Sequence, residues 1–155
     1  SGLLGELPVG VPQNLVPFIT QSAIGKRSKI VVFGNDYNTP DGSCVRDYIH
    51  VVDLAKAHIA ALKKMEQQPE RGSYDVFNIG TGEGHSVLEV IQAFESSTGV
   101  KLDYMIGSRR SGDVEMIYGK VAKAEKELGW KAKLDLPEMM RSAWAWENYI
   151  LENPF

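Results

Sequence analysis

Arg46 and Tyr48 stand two residues apart in the run VRDYIH, and on an extended segment that spacing turns both side chains to one face, where they converge on one ligand. A guanidinium offers a two-pronged fork to a phosphate, and the phenol adds a hydroxyl. Asp47, between them, faces the other way and is placed to anchor the segment to the scaffold. The same pattern also suits an arginine paired to an acid beside a half-buried tyrosine, so spacing alone leaves both readings open. A second basic group, Arg109 and Arg110 in SRRSGD, precedes Gly112 and Asp113, and adjacent arginines near a glycine either grip an anion or solvate a turn.

Other candidates are weaker. The loop NIGTGEGHS imitates a dinucleotide fingerprint, but its glycines fall at 80, 82 and 84, one place short at the third, and no acid follows at the required distance in a complete βαβ unit. It reads as a structural turn. His50, His58 and His85 lack metal-ligand spacing, and His58, on an apolar helix face, reads as core or rim. Cys44, the only cysteine, excludes an internal disulfide, fits a reducing compartment and reads as an inert thiol. Asp53 in HVVDLA reads as the residue that fixes a helix start.

These residues need elements to hold them. The Gly- and Pro-rich opening is a loop, and Asn14 starts a helix to about Gly25 with Leu15, Phe18, Ile19 and Ser22 on one face. Lys29 to Phe33 is a short buried strand, 35–43 a loop, and Val45 to His50 extended. From Val51 the apolar period is helical, with Leu54, Ala57, His58 and Ala61 on a stripe, ending by Gln67 before Pro69. Tyr74 to Ile79 reads as a strand. Ser86 and Glu89 form a capping-box pattern for a helix to about Ser97, which Gly99 ends. Val100 to Ile106 is a further strand, Lys120 to Leu128 a helix, and Pro137 to Leu151 an amphipathic helix carrying Met140, Ala143, Trp144 and Ile150.

The expected class is α/β or α+β, with strands too few to complete a sheet. At 155 residues the chain suits a single core that buries about two-thirds of its unfolded surface. With 43% hydrophobic and 24% charged residues it resembles an ordinary globular protein. A net charge of -3 gives no electrostatic reason to expect nucleic acid or an anionic membrane. No apolar run approaches the ~18 residues of a membrane span, so the expected location is cytoplasmic.

The runs VGVPQNLVPFITQ, FGNDYNTPDGSCVRDYIHVVDLA, YDVFNIGTGEGHSVLEV, RRSGDVE and KELGWKA resemble the carboxyl-terminal part of the UDP-glucose 4-epimerases, of the extended short-chain dehydrogenase/reductase family, across nearly the whole chain. The resemblance implies a substrate-binding portion with an incomplete Rossmann sheet, spanning 1–155. It implies that Arg46 and Arg110 contact the diphosphate of a UDP-sugar, that Tyr48 lies in the same pocket, and that Asp113 accepts from the ribose hydroxyls. Asn14 and Leu15 match a pair that touches the diphosphate and sugar region, and Phe33 an aromatic beside the uracil. Ile117 stands where some relatives have a tyrosine, the aromatic being shifted to Tyr118, so no contact is assigned there.

By the same resemblance the intact enzyme interconverts UDP-glucose and UDP-galactose with NAD held on an amino-terminal Rossmann domain, and commonly dimerises through it. That domain is expected to be absent here. No tyrosine is followed four places on by lysine and no GxxGxxG occurs, so this chain alone is expected to be inactive, and its start at Ser1 reads as that of a fragment, a processed product or a deliberately cut chain. Cut from a larger sheet, it should expose apolar surface and be marginally stable alone. Two alternatives remain: a non-catalytic sugar-nucleotide binding module or partner-associating fragment, and a portion of a related sugar-nucleotide dehydratase or decarboxylase.

Overall fold

A computed structural model describes residues 4–67 and 74–154. The chain folds as α1 (Leu15–Ala23), β1 (Ile30–Phe33), β2 (Val45–Arg46), α2 (Val51–Gln67), β3 (His85–Ser86), α3 (Val87–Thr98), β4 (Tyr104–Gly107), β5 (Met116–Ile117), α4 (Ala122–Leu128) and α5 (Leu136–Glu152). The mixed α/β class expected from the sequence is what forms. Two small sheets carry it. β1 and β4 pair in parallel, Ile30 beside Tyr104 through Phe33 beside Gly107. β2 lies between β3, antiparallel to it, and β5, parallel to it.

Local chemistry accounts for the helix limits. Ser86 Oγ accepts from the Glu89 amide while the Glu89 carboxylate accepts from the Ser86 amide, so two of the free donors at the start of α3 are satisfied. Gly99 then ends α3 with a left-handed φ of 76°, which a residue with a Cβ adopts only at a cost. Asp135 caps α5 by accepting from the Glu138 amide, with Pro137 in the first turn. Asn14 occupies the cap position of α1, but its side chain donates to Glu6 instead of capping.

The main core joins α1, β1, α3 and α5 through Ile19, Ile30, Val32, Val90, Ile91, Phe94, Leu136, Met139 and Met140. Phe94 meets Trp144 edge to face, with ring centroids 5.6 Å apart. A smaller core of Ala57, Ala124 and Trp130 seats α4 on α2.

Several expectations need correction. Tyr74 to Ile79, expected as a strand, is irregular backbone with Tyr74 and Val76 exposed, and no described strand pairs with it. Only Val45 and Arg46 of the extended 45–50 segment pair, and the strand expected over 100–106 pairs from Tyr104 to Gly107. On α1 the expected Ile19 is buried with Leu15 and Phe18 packed against the same core, Ser22 is only half-buried, and Pro17, Thr20 and Gln21 are buried as well. On α2 the buried positions are Asp53 and Ala57, and His58 is exposed, its Nδ1 2.8 Å from the Leu54 carbonyl. α2 is described to Gln67, the expected end, and Pro69 lies outside the described residues.

Asp53 does more than mark a helix start. Its fully buried Oδ2 accepts from the amides of Lys133 and Leu134, at 2.7 and 2.8 Å, and so ties α2 to the segment entering α5.

Candidate functional site

β2 pairs on both edges, with β3 and β5, and this pairing fixes the extended backbone that decides which way Arg46, Asp47 and Tyr48 point. Asp47 turns inward. Its Oδ1 accepts from the Thr81 amide at 2.8 Å and hydroxyl at 2.6 Å, and its Oδ2 from the amides of Gly82 and Gly119 at 3.1 and 3.0 Å. These donors hold the carboxyl below its ordinary range against the opposing effect of burial. A Cβ on Gly80 would lie 2.3 Å from Asp47 Oδ2, so the carboxylate fills the glycine loop. The loop that imitates a dinucleotide fingerprint therefore holds an internal anion.

Arg46 and Tyr48 line the opposite side, in a cleft of about 820 Å³. Burial pushes the Tyr48 phenol up to about 12, so at neutral pH it is a protonated donor. Arg46 Nη1 donates to the Val45 carbonyl at 2.8 Å, and its Nη2 lies 3.7 Å from Asp113 Oδ1. Arg110 Nη2 donates to the same Oδ1 at 2.7 Å, and its guanidinium lies 5.6 Å from the centre of the Phe33 ring. The Asp113 carboxylate raises the affinity of the Arg110 guanidinium for its proton.

All seven residues singled out from the sequence, Asn14, Leu15, Phe33, Arg46, Tyr48, Arg110 and Asp113, border this one cleft. They come from the start of α1, the end of β1, β2 and its continuation, and the loop after β4. Arg109 does not join them. It turns to the loop after β1, where Nε donates to Asp36 Oδ1 at 2.7 Å and the guanidinium packs 4.1 Å from the centre of the Tyr37 ring. Ile117 and Tyr118 are exposed and do not border the cleft.

Sequence reasoning missed the far wall. Met139, Ser142, Ala143 and Trp146 line it from α5, together with His50 and Cys44. Their spacing of three, four and seven residues was the available signal, although it equally describes a core stripe. His50 is neutral and in one tautomer: Nδ1 accepts from the Val52 amide at 3.0 Å, which leaves Nε2–H for Ser142 Oγ at 2.9 Å. Burial lowers its affinity for a proton. Among the described residues no group of histidine, cysteine and carboxylate side chains is arranged to hold a metal ion, and no helix is long and apolar enough to cross a membrane.

Set beside known proteins, the chain matches the model of the GDP-mannose 4,6 dehydratase family over residues 6–143. UDP-glucose 4-epimerase 1 of Oryza sativa subsp. japonica is 52% identical over 155 residues, which are 100% of this chain and 43% of the relative. The human UDP-glucose 4-epimerase is 49% identical over 154 residues, 99% of this chain and 42% of the relative. Among solved structures, a UDP-glucose-4-epimerase from Stenotrophomonas maltophila, with bound NAD and formylated UDP-arabinopyranose, superposes with a TM-score of 0.93 at 48% identity, over 97% of this chain and 44% of that one. The UDP-glucose 4-epimerase from Bifidobacterium longum, in complex with NAD+ and UDP, gives 0.88 at 48% identity over 99% and 44%. The chain thus spans less than half the length of the relatives it matches.

Proposed function

Because the chain belongs to the GDP-mannose 4,6 dehydratase family, within the extended short-chain dehydrogenase/reductases, we propose that it is the substrate-binding portion of a UDP-glucose 4-epimerase. The intact protein would interconvert UDP-glucose and UDP-galactose. What carries the reading is that Arg46 and Arg110, from separate segments, meet at one carboxylate oxygen in a cleft bordered by all seven expected contact residues.

Each side chain has a task suited to its chemistry. Arg46 and Arg110 hold the diphosphate, and Tyr48 donates its hydroxyl to the same ligand. Asp113 accepts from the ribose hydroxyls. Phe33, at the end of β1, packs beside the uracil, and Asn14 with Leu15 approaches the diphosphate and sugar region at the start of α1. Binding strength is thereby concentrated on the nucleotide, and the sugar is left free to turn while the nucleotide stays held.

NAD does not fit the residues described here. The one dinucleotide-like loop is filled by Asp47, so NAD is assigned to an amino-terminal portion such as the longer relatives possess. That portion would cover the apolar side chains exposed on α2, Val51, Ile59, Leu62 and Met65, and would carry the contact of a homodimer. Cytoplasmic location is part of the same reading.

The test is UDP-glucose binding by calorimetry to the full-length protein and its Arg46→Ala and Arg110→Ala variants. Each substitution should weaken binding at least tenfold, about 1.4 kcal/mol. Unchanged affinity in both would overturn the assignment.

A further inference from the structure

We infer that Asp113 is a selectivity residue, which neutralises the arginine pair so that the cleft rejects a bare anion and takes a nucleoside diphosphate. The inference rests on the nucleotide-site reading above. Oδ1 of Asp113 lies 2.7 Å from Arg110 Nη2 and 3.7 Å from Arg46 Nη2, so one carboxylate oxygen bridges both guanidinia. Two positive charges and one negative leave the triad a net charge of one. The Asp113 side chain is 12% exposed, that of Arg46 29% and that of Arg110 58%, so the carboxylate and Arg46 are partly shielded from water while Arg110 faces the open side of the cleft.

A phosphate group that docks on the outer prongs of both forks must come within a guanidinium's width of the carboxylate, and like charges that close repel. With a separation of ~5 Å and an effective dielectric of ~20, the repulsion between unit charges is worth a factor of about ten in affinity after a roughly twofold discount for solvent. Pyrophosphate has nothing to offer in return. A nucleoside diphosphate does, because its sugar hydroxyls are donors and Asp113 Oδ2 makes no hydrogen bond with any described residue. A hydroxyl donated to Oδ2 turns the repelling group into a partner. The carboxylate thus penalises one class of ligand and rewards the other.

The full-length protein and its Asp113→Asn variant should be titrated calorimetrically with UDP and, separately, with inorganic pyrophosphate, at one fixed ionic strength. The expected result is an inversion. The variant binds pyrophosphate tenfold or more tightly than the parent does, UDP affinity falls or stays within about threefold, and the ratio of the two shifts by at least tenfold. Loss of stability alone would weaken both ligands together and leave the ratio unmoved. Asp113→Ser removes the same charge with a smaller side chain and should show the same inversion, so the outcome does not hang on the folding of one variant. An unchanged ratio in both variants, with the parent binding UDP, overturns the inference and spares the nucleotide site. A parent protein that binds neither ligand removes the site and the inference together.

Discussion

Thr81 donates both its amide and its hydroxyl to one carboxylate oxygen of Asp47. Asp47 lies between two residues of the cleft, so this contact on one side of β2 fixes what happens on the other. With Gly82 and Gly119 bonded to the second oxygen, two distant chain segments are tied behind Arg46 and Tyr48.

Asp47→Asn keeps the shape but turns an amide nitrogen toward backbone N–H groups. It should cost about 1–3 kcal/mol in urea denaturation. The same substitution should flatten the acid limb of stability. The folded carboxyl titrates below the ordinary 3.8, so its contribution is complete above that value and is lost as pH falls through the folded pKa. An acid limb as steep in the variant as in the parent would show that Asp47 does not cause it.

His50 gives a second pH signal of defined sign. Burial lowers its pKa below the ordinary 6.5, so the unfolded chain binds the proton more readily. The nearby Asp53 and Glu138 carboxylates oppose this and Lys56 assists it. Stability should therefore be complete above about 6.5 and decline as pH drops from there to the folded pKa. Thermal melts from pH 7.5 to 5 should show this step in the parent and a smaller one in His50→Gln.

Asp53 separates charge from hydrogen bonding. Asp53→Ala leaves the Lys133 and Leu134 amides without their acceptor and should cost about 1–3 kcal/mol. Asp53→Asn keeps one oxygen for both amides and should cost clearly less. Equal denaturation midpoints for the two variants would contradict this picture.

The two adjacent arginines should behave differently. Arg109→Ala breaks an exposed ion pair with Asp36 and a stacking contact with Tyr37, outside the cleft, and should leave UDP-glucose affinity within about threefold. Arg110→Ala should reduce it at least tenfold. Calorimetry on the pair distinguishes them, and equal losses would mean that Arg109 also reaches the ligand.

Local patterns determined much of this. The Ser86 and Glu89 box, Gly99 after α3, and the helical period of α2 and α5 act within one or two turns, so neighbouring residues suffice to specify them. The alternation that sends Asp47 one way and Arg46 and Tyr48 the other is equally local, a property of extended backbone. Partners distant in the chain decided the rest. Nothing in SRRSGD says which arginine enters the cleft; Asp36 and Tyr37, brought alongside by the pairing of β1 with β4, draw Arg109 away and leave Arg110 to Asp113. The stripe of α2 turned because the buried carboxylate of Asp53 had to reach two amides ahead of α5. The strand-like run from Tyr74 to Ile79 is irregular and pairs with no described strand, which its own residues do not reveal. A strand is completed by its neighbour, and a buried charge by its donors, and both are chosen only when the chain closes on itself.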